Sequence, residues 1–234
     1  MPNHITNRIR ITGNPEDAQK LYDFIKSDEK DSDGEIAVID FNKIVPMPDS
    51  LDISSSSEGE DGKRYLLGMA GNILERRAYQ KSDHFKKMET MKVENPKRFE
   101  KHMELGRQYL NNIANYGYAN WYNWRLANWG TKWNAYESYI DGDGAIYFQT
   151  AWSGVPELIA QLAAKFPSLT IEYDFADENT GWNVGSYIMK GDEIEDNSPA
   201  DDSAEALELV FDLGVADRED YEEQPDGSYA YKED

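Results

Sequence analysis

The chain has 234 residues, no cysteine and a formal net charge of −21. Disulfides, thiolate nucleophiles and cysteine-based zinc or iron–sulfur sites are therefore excluded, and no apolar run approaches the ~20 residues that span a bilayer. The opening MPNHITNRIR lacks the apolar stretch of a secretory signal, so a cytoplasmic protein with no membrane association is expected.

The charge is unevenly spread. Residues 63–107 carry 12 bases and 6 acids, whereas residues 191–234 carry 17 acids and 2 bases. A strong acidic field repels phosphate backbones and favours basic partners, although acidic surfaces also serve solubility.

In chain order, Asn7–Thr12 alternates as a first strand. Asn14 and Pro15 then suit the cap and first position of a helix, whose apolar face is Ala18, Leu21, Phe24 and Ile25. After a polar loop, Ile36–Phe41 reads as a second strand ended by Pro46 and Pro48. SSSSEGEDG at 54–62 reads as a flexible linker. Two helical stripes follow, one on Leu66, Leu67, Ala70, Ile73 and Leu74, the other on Phe99, Met103, Gly106, Leu110 and Ile113. His84 and His102 lie in this helical region, read as solvated or partly packed side chains, not a metal pair.

Lys132–Ile140 reads as a strand, Asp141–Gly144 as a tight turn, and the returning strand sets Ile146, Phe148, Thr150 and Trp152 on one face. Ser153 or Gly154 is expected to cap a helix with Pro156 in its first turn and Leu158, Ile159, Leu162 and Phe166 inward. Leu169–Phe175 and Val184–Met189 alternate as strands around an Asp177–Trp182 turn. Residues 191–202 show no strand pattern, so truncation after Met189 is expected to leave the sheet folded; Ser203–Leu213, with Leu207, Val210 and Phe211 at helical spacing, is the part expected to order as a helix.

The predicted organisation is residues 1–53 as the first part of an α/β sandwich, 54–118 a basic helical insertion, 119–192 a ferredoxin-like C-terminal part and 193–234 an acidic tail. The fold class is α+β: a ferredoxin-like antiparallel sheet with two helices on one face.

Four strings carry a family resemblance: Met1-Pro2-Asn3-His4 with Asn7-Arg8; Asp40–Pro48; Asn128-Trp129-Gly130-Thr131-Lys132-Trp133-Asn134; and Thr150-Ala151-Trp152-Ser153 before Pro156. Together they resemble the YubB-type proteins carried by phages and conjugative plasmids, over about residues 1–50 and 120–190. The resemblance implies a ferredoxin-like domain in a mobile-element protein and no set of catalytic residues.

Chemical motifs are sparse. DGDG at 141–144 lacks the glutamate that would close a calcium loop, since Trp152 stands there, and a hairpin turn is the better reading. Adjacent Asp177 and Glu178 do not form a carboxylate pair held across a cleft. No triad, metalloprotease motif or phosphate loop is present, so no catalysis and no cofactor are predicted. The binding candidates are Trp129, Lys132, Trp133, Asn134, Trp152, Asp177, Glu178 and Trp182. At least one of Trp129 and Trp133 is expected in the core, with base stacking as the alternative role.

Two functions follow. The first is a mobile-element accessory protein that binds a basic host or phage protein, in its concrete form a counter-defence inhibitor whose acidic surface mimics nucleic acid, without binding duplex DNA itself. The second is a nucleic-acid-binding or nucleotide-processing module that uses the sheet face or the basic insertion. Neither implies an oligomeric state.

Overall fold

The structure, a computed structural model, describes residues 3–30, 34, 36–225 and 227–232. Met1 and Pro2 of the opening string, and Asp31–Asp33 and Glu35 of the polar loop, lie outside them. The chain forms two compact units, Met1–Pro46 with Arg125–Asp234, and Met47–Trp124.

The first unit is built on a six-stranded sheet in the order β2-β3-β1-β4-β5-β6, with every pair antiparallel. Its strands are β1 (His4–Thr12), β2 (Tyr136–Ile140), β3 (Ile146–Ala151), β4 (Thr170–Asp177), β5 (Gly185–Lys190) and β6 (Glu193–Asp196). The β1–β4 strands with α1 (Pro15–Ile25) and α8 (Pro156–Lys165) make the ferredoxin-like core, and β5 and β6 extend the β4 edge. Alternation along β1 sends Ile5, Asn7 and Ile9 to the face that buries Leu21, Ile25, Leu158 and Leu162. Phe24 of α1 meets Phe166 at the end of α8 with ring centroids 5.6 Å apart.

Asn7 is fully buried and ties that face together. Its amide donates to the Ile5 carbonyl and the Thr150 hydroxyl, each at 2.9 Å, and its carbonyl accepts from the Tyr173 hydroxyl at 2.6 Å. Tyr173 in turn accepts from the Val155 amide at 2.7 Å, which fixes the start of α8. The cap residue there is Val155, with no side-chain bond, and not Ser153 or Gly154; Pro156 dispenses with one amide that a cap would serve.

The opposite face is covered as well. α9 (Ala204–Asp212) packs Ala206 and Val210, with Leu213 just beyond its end, on Ala176 and Val184, with Tyr147 beside them. Arg8 points to this side and is buried, pairing with Asp174 at 2.8 Å and with Asp212 at 2.6 Å. A short hairpin of β7 (Tyr221–Glu223) and β8 (Tyr229–Tyr231) adds Tyr221 and Tyr229 against Phe211. The predicted helix at Ser203–Leu213 is thus present, capped by Ser203. The stretch 191–202 differs from expectation: Glu193–Asp196 pairs with β5 as an edge strand. All four of its residues are exposed, so it has no buried alternation to read.

The predicted strand at Ile36–Phe41 is corrected. Only Ile36 makes a bridge, to Lys30. Both flanks of β1 are already taken by β3 and β4, so no ladder is open beside it. Asp40 instead caps α2 (Phe41–Ile44) by accepting from the Asn42 amide, and Ile39, Phe41 and Ile44 are buried from this irregular segment. The strand predicted from Lys132 starts only at Tyr136, because Gly130 adopts φ +79° and 129–133 is a turn. The hairpin at 141–144 forms as read, with Asp141 accepting from the amides of Asp143 and Ala145 at 3.0 and 2.8 Å.

The second unit is helical: α3 (Ser57–Ala70), α4 (Ile73–Tyr79), α5 (Asp83–Glu94) and α6 (Pro96–Tyr116). The linker expected at 54–62 is mostly helix, because Ser56 caps α3 through the Gly59 amide. A cluster of Tyr65, Met88, Phe99 and Met103 forms its core. α3 and α6 cross at Gly62 and Gly106, where a Cβ on Gly62 would lie 1.8 Å from the His102 carbonyl oxygen. His102 is 2 % exposed, and the His84 ring is hydrogen-bonded to the Tyr79 hydroxyl, so both histidines are packed. α7 (Trp121–Asn128) leads back to the first unit.

Candidate functional site

The string Asn128–Asn134 divides its labour by direction. Trp129 is buried, and its indole N–H donates to the Val45 carbonyl at 2.9 Å. Thr131 is fully buried and bonds the Ala151 carbonyl at 2.9 Å. Asn134 accepts from the Phe41 amide at 2.8 Å and donates to Asp40 at 2.7 Å. These three hold the turn to β3 and to α2, leaving Lys132 and Trp133 to project outward. Of the two tryptophans weighed for the core, Trp129 takes that place and Trp133 is 40 % exposed.

Trp152 leaves the face that it was expected to share with Ile146, Phe148 and Thr150. β3 ends at Ala151, and Trp152 takes φ +76° and is 43 % exposed. A left-handed backbone at a bulky residue costs on the order of 1–3 kcal/mol and persists only where its surroundings dictate it. Here they do. The Trp152 amide donates to the Asn3 carbonyl at 3.0 Å, and its carbonyl accepts from the Asn183 side chain at 3.0 Å. Asp177 holds both clamps, accepting from the side chains of Asn3 at 3.0 Å and Asn183 at 2.8 Å. Asp177 is 4 % exposed, so this candidate is a positioning residue. Asn3 enters the sequence reading only within the opening string, with no role, and Asn183 not at all, because their roles arise only where the ends of β1, β3 and β4 meet.

The result is a rim at one end of the sheet. The Lys132 ammonium lies over two indole rings, 3.9 Å from the Trp133 centroid and 4.0 Å from that of Trp152. Among the described residues, no carboxylate lies within ion-pairing distance of it. Tyr136 meets Trp133 edge to face at 6.1 Å and bonds the His4 ring at 2.8 Å. Burial raises the Tyr136 pKa, helped by the charges of Glu137 and Glu178. Glu178 is exposed, with its backbone amide on the His4 carbonyl, and Trp182 is 48 % exposed on the β4–β5 turn.

Chemically, this arrangement offers aromatic faces, a cation, the exposed Glu178 carboxylate and a tyrosine–histidine hydrogen bond. Asp177 and Glu178 do not act as a pair, since one is buried in amide bonds and the other faces out. Among the described residues, no group of three potential metal-binding side chains occurs, and no helix is long and apolar enough to cross a membrane.

Residues 128–219 match a family model described as a ferredoxin-like domain in Api92-like protein. That description names a fold and no reaction. No curated protein matches the chain. Among solved structures, the crystal structure of a protein api92 from Yersinia pseudotuberculosis is similar at 11 % identity and a TM-score of 0.40, over 86 % of this chain and 99 % of that one. The candidate residues from Trp129 to Trp182 all fall within the span matched by the family model, and so they sit on a ferredoxin-like domain similar to the one in Api92-like protein.

Proposed function

We propose that this protein is a non-enzymatic binding protein that takes a basic protein partner on the Trp133–Trp152 rim. The observation that carries the proposal is the rim itself. Two half-exposed indoles stand at the end of a six-stranded sheet, and one of them is held in a strained backbone by a buried carboxylate and two asparagines. Exposed tryptophans fixed in place are the anchors from which protein interfaces draw much of their energy.

Charge supports a basic partner. Residues 47–124 hold 11 acids and 12 bases, so the unit that bears the rim, with the remaining 34 acids and 12 bases, carries −22. As part of the same proposal, the protein is a YubB-type accessory protein of a phage or plasmid, working in the host cytoplasm. There it inhibits a nucleic-acid-binding defence protein by occupying its basic surface. Mimicry of this kind needs carboxylates fixed on a folded surface, and the helical order of Ala204–Asp212 supports it.

The alternative, a nucleic-acid module, loses the route through the sheet face, since α9 covers Ala176 and Val184 and Arg8 is engaged by two carboxylates. The test is a pull-down from a bacterial lysate with wild type and Trp133→Ala as baits, together with a gel shift of the full chain on duplex DNA. The proposal expects a basic protein retained by wild type and lost with the variant, and no shift at moderate salt. Tight DNA binding by the intact protein overturns it.

A further inference from the structure

We propose that the Trp133–Trp152 slot is a receptor for an organic cation, and that Lys132 is its built-in occupant. This deepens the proposed function and rests on it: the ligand class is an alkylammonium or guanidinium group, presented in that setting by a lysine or arginine of the basic partner.

Three observations carry the inference. First, the slot already holds a cation. The ammonium of Lys132 sits over both indole faces at 3.9 and 4.0 Å, well within the ~6 Å over which a ring quadrupole attracts a positive charge. Among the described residues, its seat is made by the rings and not by a carboxylate. Second, both walls are half-open to solvent, at 40 and 43 % exposure, so an external group can reach the same faces. Third, the wall at Trp152 is built and not incidental. It needs φ +76°, an amide bond to the Asn3 carbonyl, a bond from Asn183, and buried Asp177 beneath both. A lysine on a four-carbon stem, carried by the turn at 129–133, is a replaceable plug. Leaving the slot restores the ammonium to water, so exchange for a less hydrated cation is the favourable direction. Guanidinium and alkylated ammonium groups are such cations.

Lys132 therefore acts as an intramolecular competitor. Its removal empties the slot without touching the walls, and affinity for a small cation rises. The probe is tetramethylammonium chloride, titrated into the full-length protein at constant ionic strength against sodium chloride. It is followed by the indole N–H resonances of Trp133 and Trp152, assigned by Trp→Phe substitutions. Lys132→Ala and Lys132→Gln are compared with wild type, the second keeping much of the stem's bulk.

The proposal expects both variants to bind the probe about tenfold more tightly than wild type, the scale of two exposed cation–π contacts. The Trp133 and Trp152 signals alone should move, and Trp152→Ala in the Lys132→Ala background should abolish the response. Equal binding by wild type and both variants, or shifts spread over all indoles, overturns it. The readout needs no protein partner, so its failure is separable from failure of the protein-binding function. A silent slot combined with a partner that Trp133→Ala still loses would leave the rim as an interface and remove only the cation receptor.

Discussion

Replacing Arg8 by Met tests whether the acidic C-terminal segment is part of the sheet domain. The Arg8 side chain is 2 % exposed; its partners are Asp174, 11 % exposed, and Asp212, 57 % exposed. Burial by itself would lower the Arg8 pKa, but the hydrogen bonds to Asp212 and Asp174 outweigh it and raise it, so the guanidinium stays charged in the folded protein. Arg8→Met leaves Asp174 buried with the Ser186 hydroxyl, 2.8 Å away, as its side-chain donor. Breaking a buried pair from one side costs about 3–5 kcal/mol. Asp212→Asn removes only the more exposed partner and costs about 1 kcal/mol or less. Arg8→Met with Asp174→Asn removes both charges and costs less than the sum of the two single changes. Urea denaturation followed by tryptophan fluorescence reads this, because the sheet unit holds Trp129, Trp133, Trp152 and Trp182. A cost of under about 1 kcal/mol for Arg8→Met would refute the reasoning and make the pairing over the sheet incidental.

Other outcomes follow from the same geometry. Trp129→Ala should cost about 3–5 kcal/mol, the range for a buried aromatic, whereas Trp133→Ala should stay within about 1 kcal/mol of wild type in the same melt. Gly62→Ala should destabilise the helical unit by about 1–3 kcal/mol or more despite alanine's better helix propensity, since its Cβ meets backbone at 1.8 Å; protease nicking within 57–116 checks it. Burial lowers the pKa of His102 and of His84. Their folded values lie below the unfolded one, so the unfolded chain binds more protons once pH drops through 6.5. The stability of this unit is thus fully present above that pH and declines below it. Glu58, held low by Lys101, extends the loss into the acid range; so does Asp61, which burial alone would raise but Lys87 holds low. His102→Met should flatten the first limb of a pH series of thermal melts.

What was legible in the sequence was local. Asn14 and Pro15 mark α1, Asp141–Gly144 marks the hairpin, and the spacing of Leu158, Ile159 and Leu162 marks α8; each signal lies within a dozen residues of its effect. The misreadings share a different cause. Ile36–Phe41 is apolar enough to read as a strand, but only the sheet order reveals that no edge beside β1 is vacant. β6 hides because an exposed edge strand has no buried face to alternate. Trp152 turns outward because Asn3 and Asn183, far from it in sequence, bind its amide and carbonyl. The slot around Lys132 exists only once Trp133 and Trp152 are both brought within about 4 Å of its ammonium. Site residues were therefore nameable as aromatic and charged side chains, while their division into core (Trp129), scaffold (Asn134, Asp177) and rim (Lys132, Trp133, Trp152) needed the tertiary structure.

Hydrogen–deuterium exchange of the full-length protein, alone and with its captured basic partner, tests the binding account most directly. The account predicts new protection at residues 129–136, 150–153 and 177–184, with 63–107 unchanged. Protection confined to the basic helical segment 63–107, or none at the rim, would contradict it.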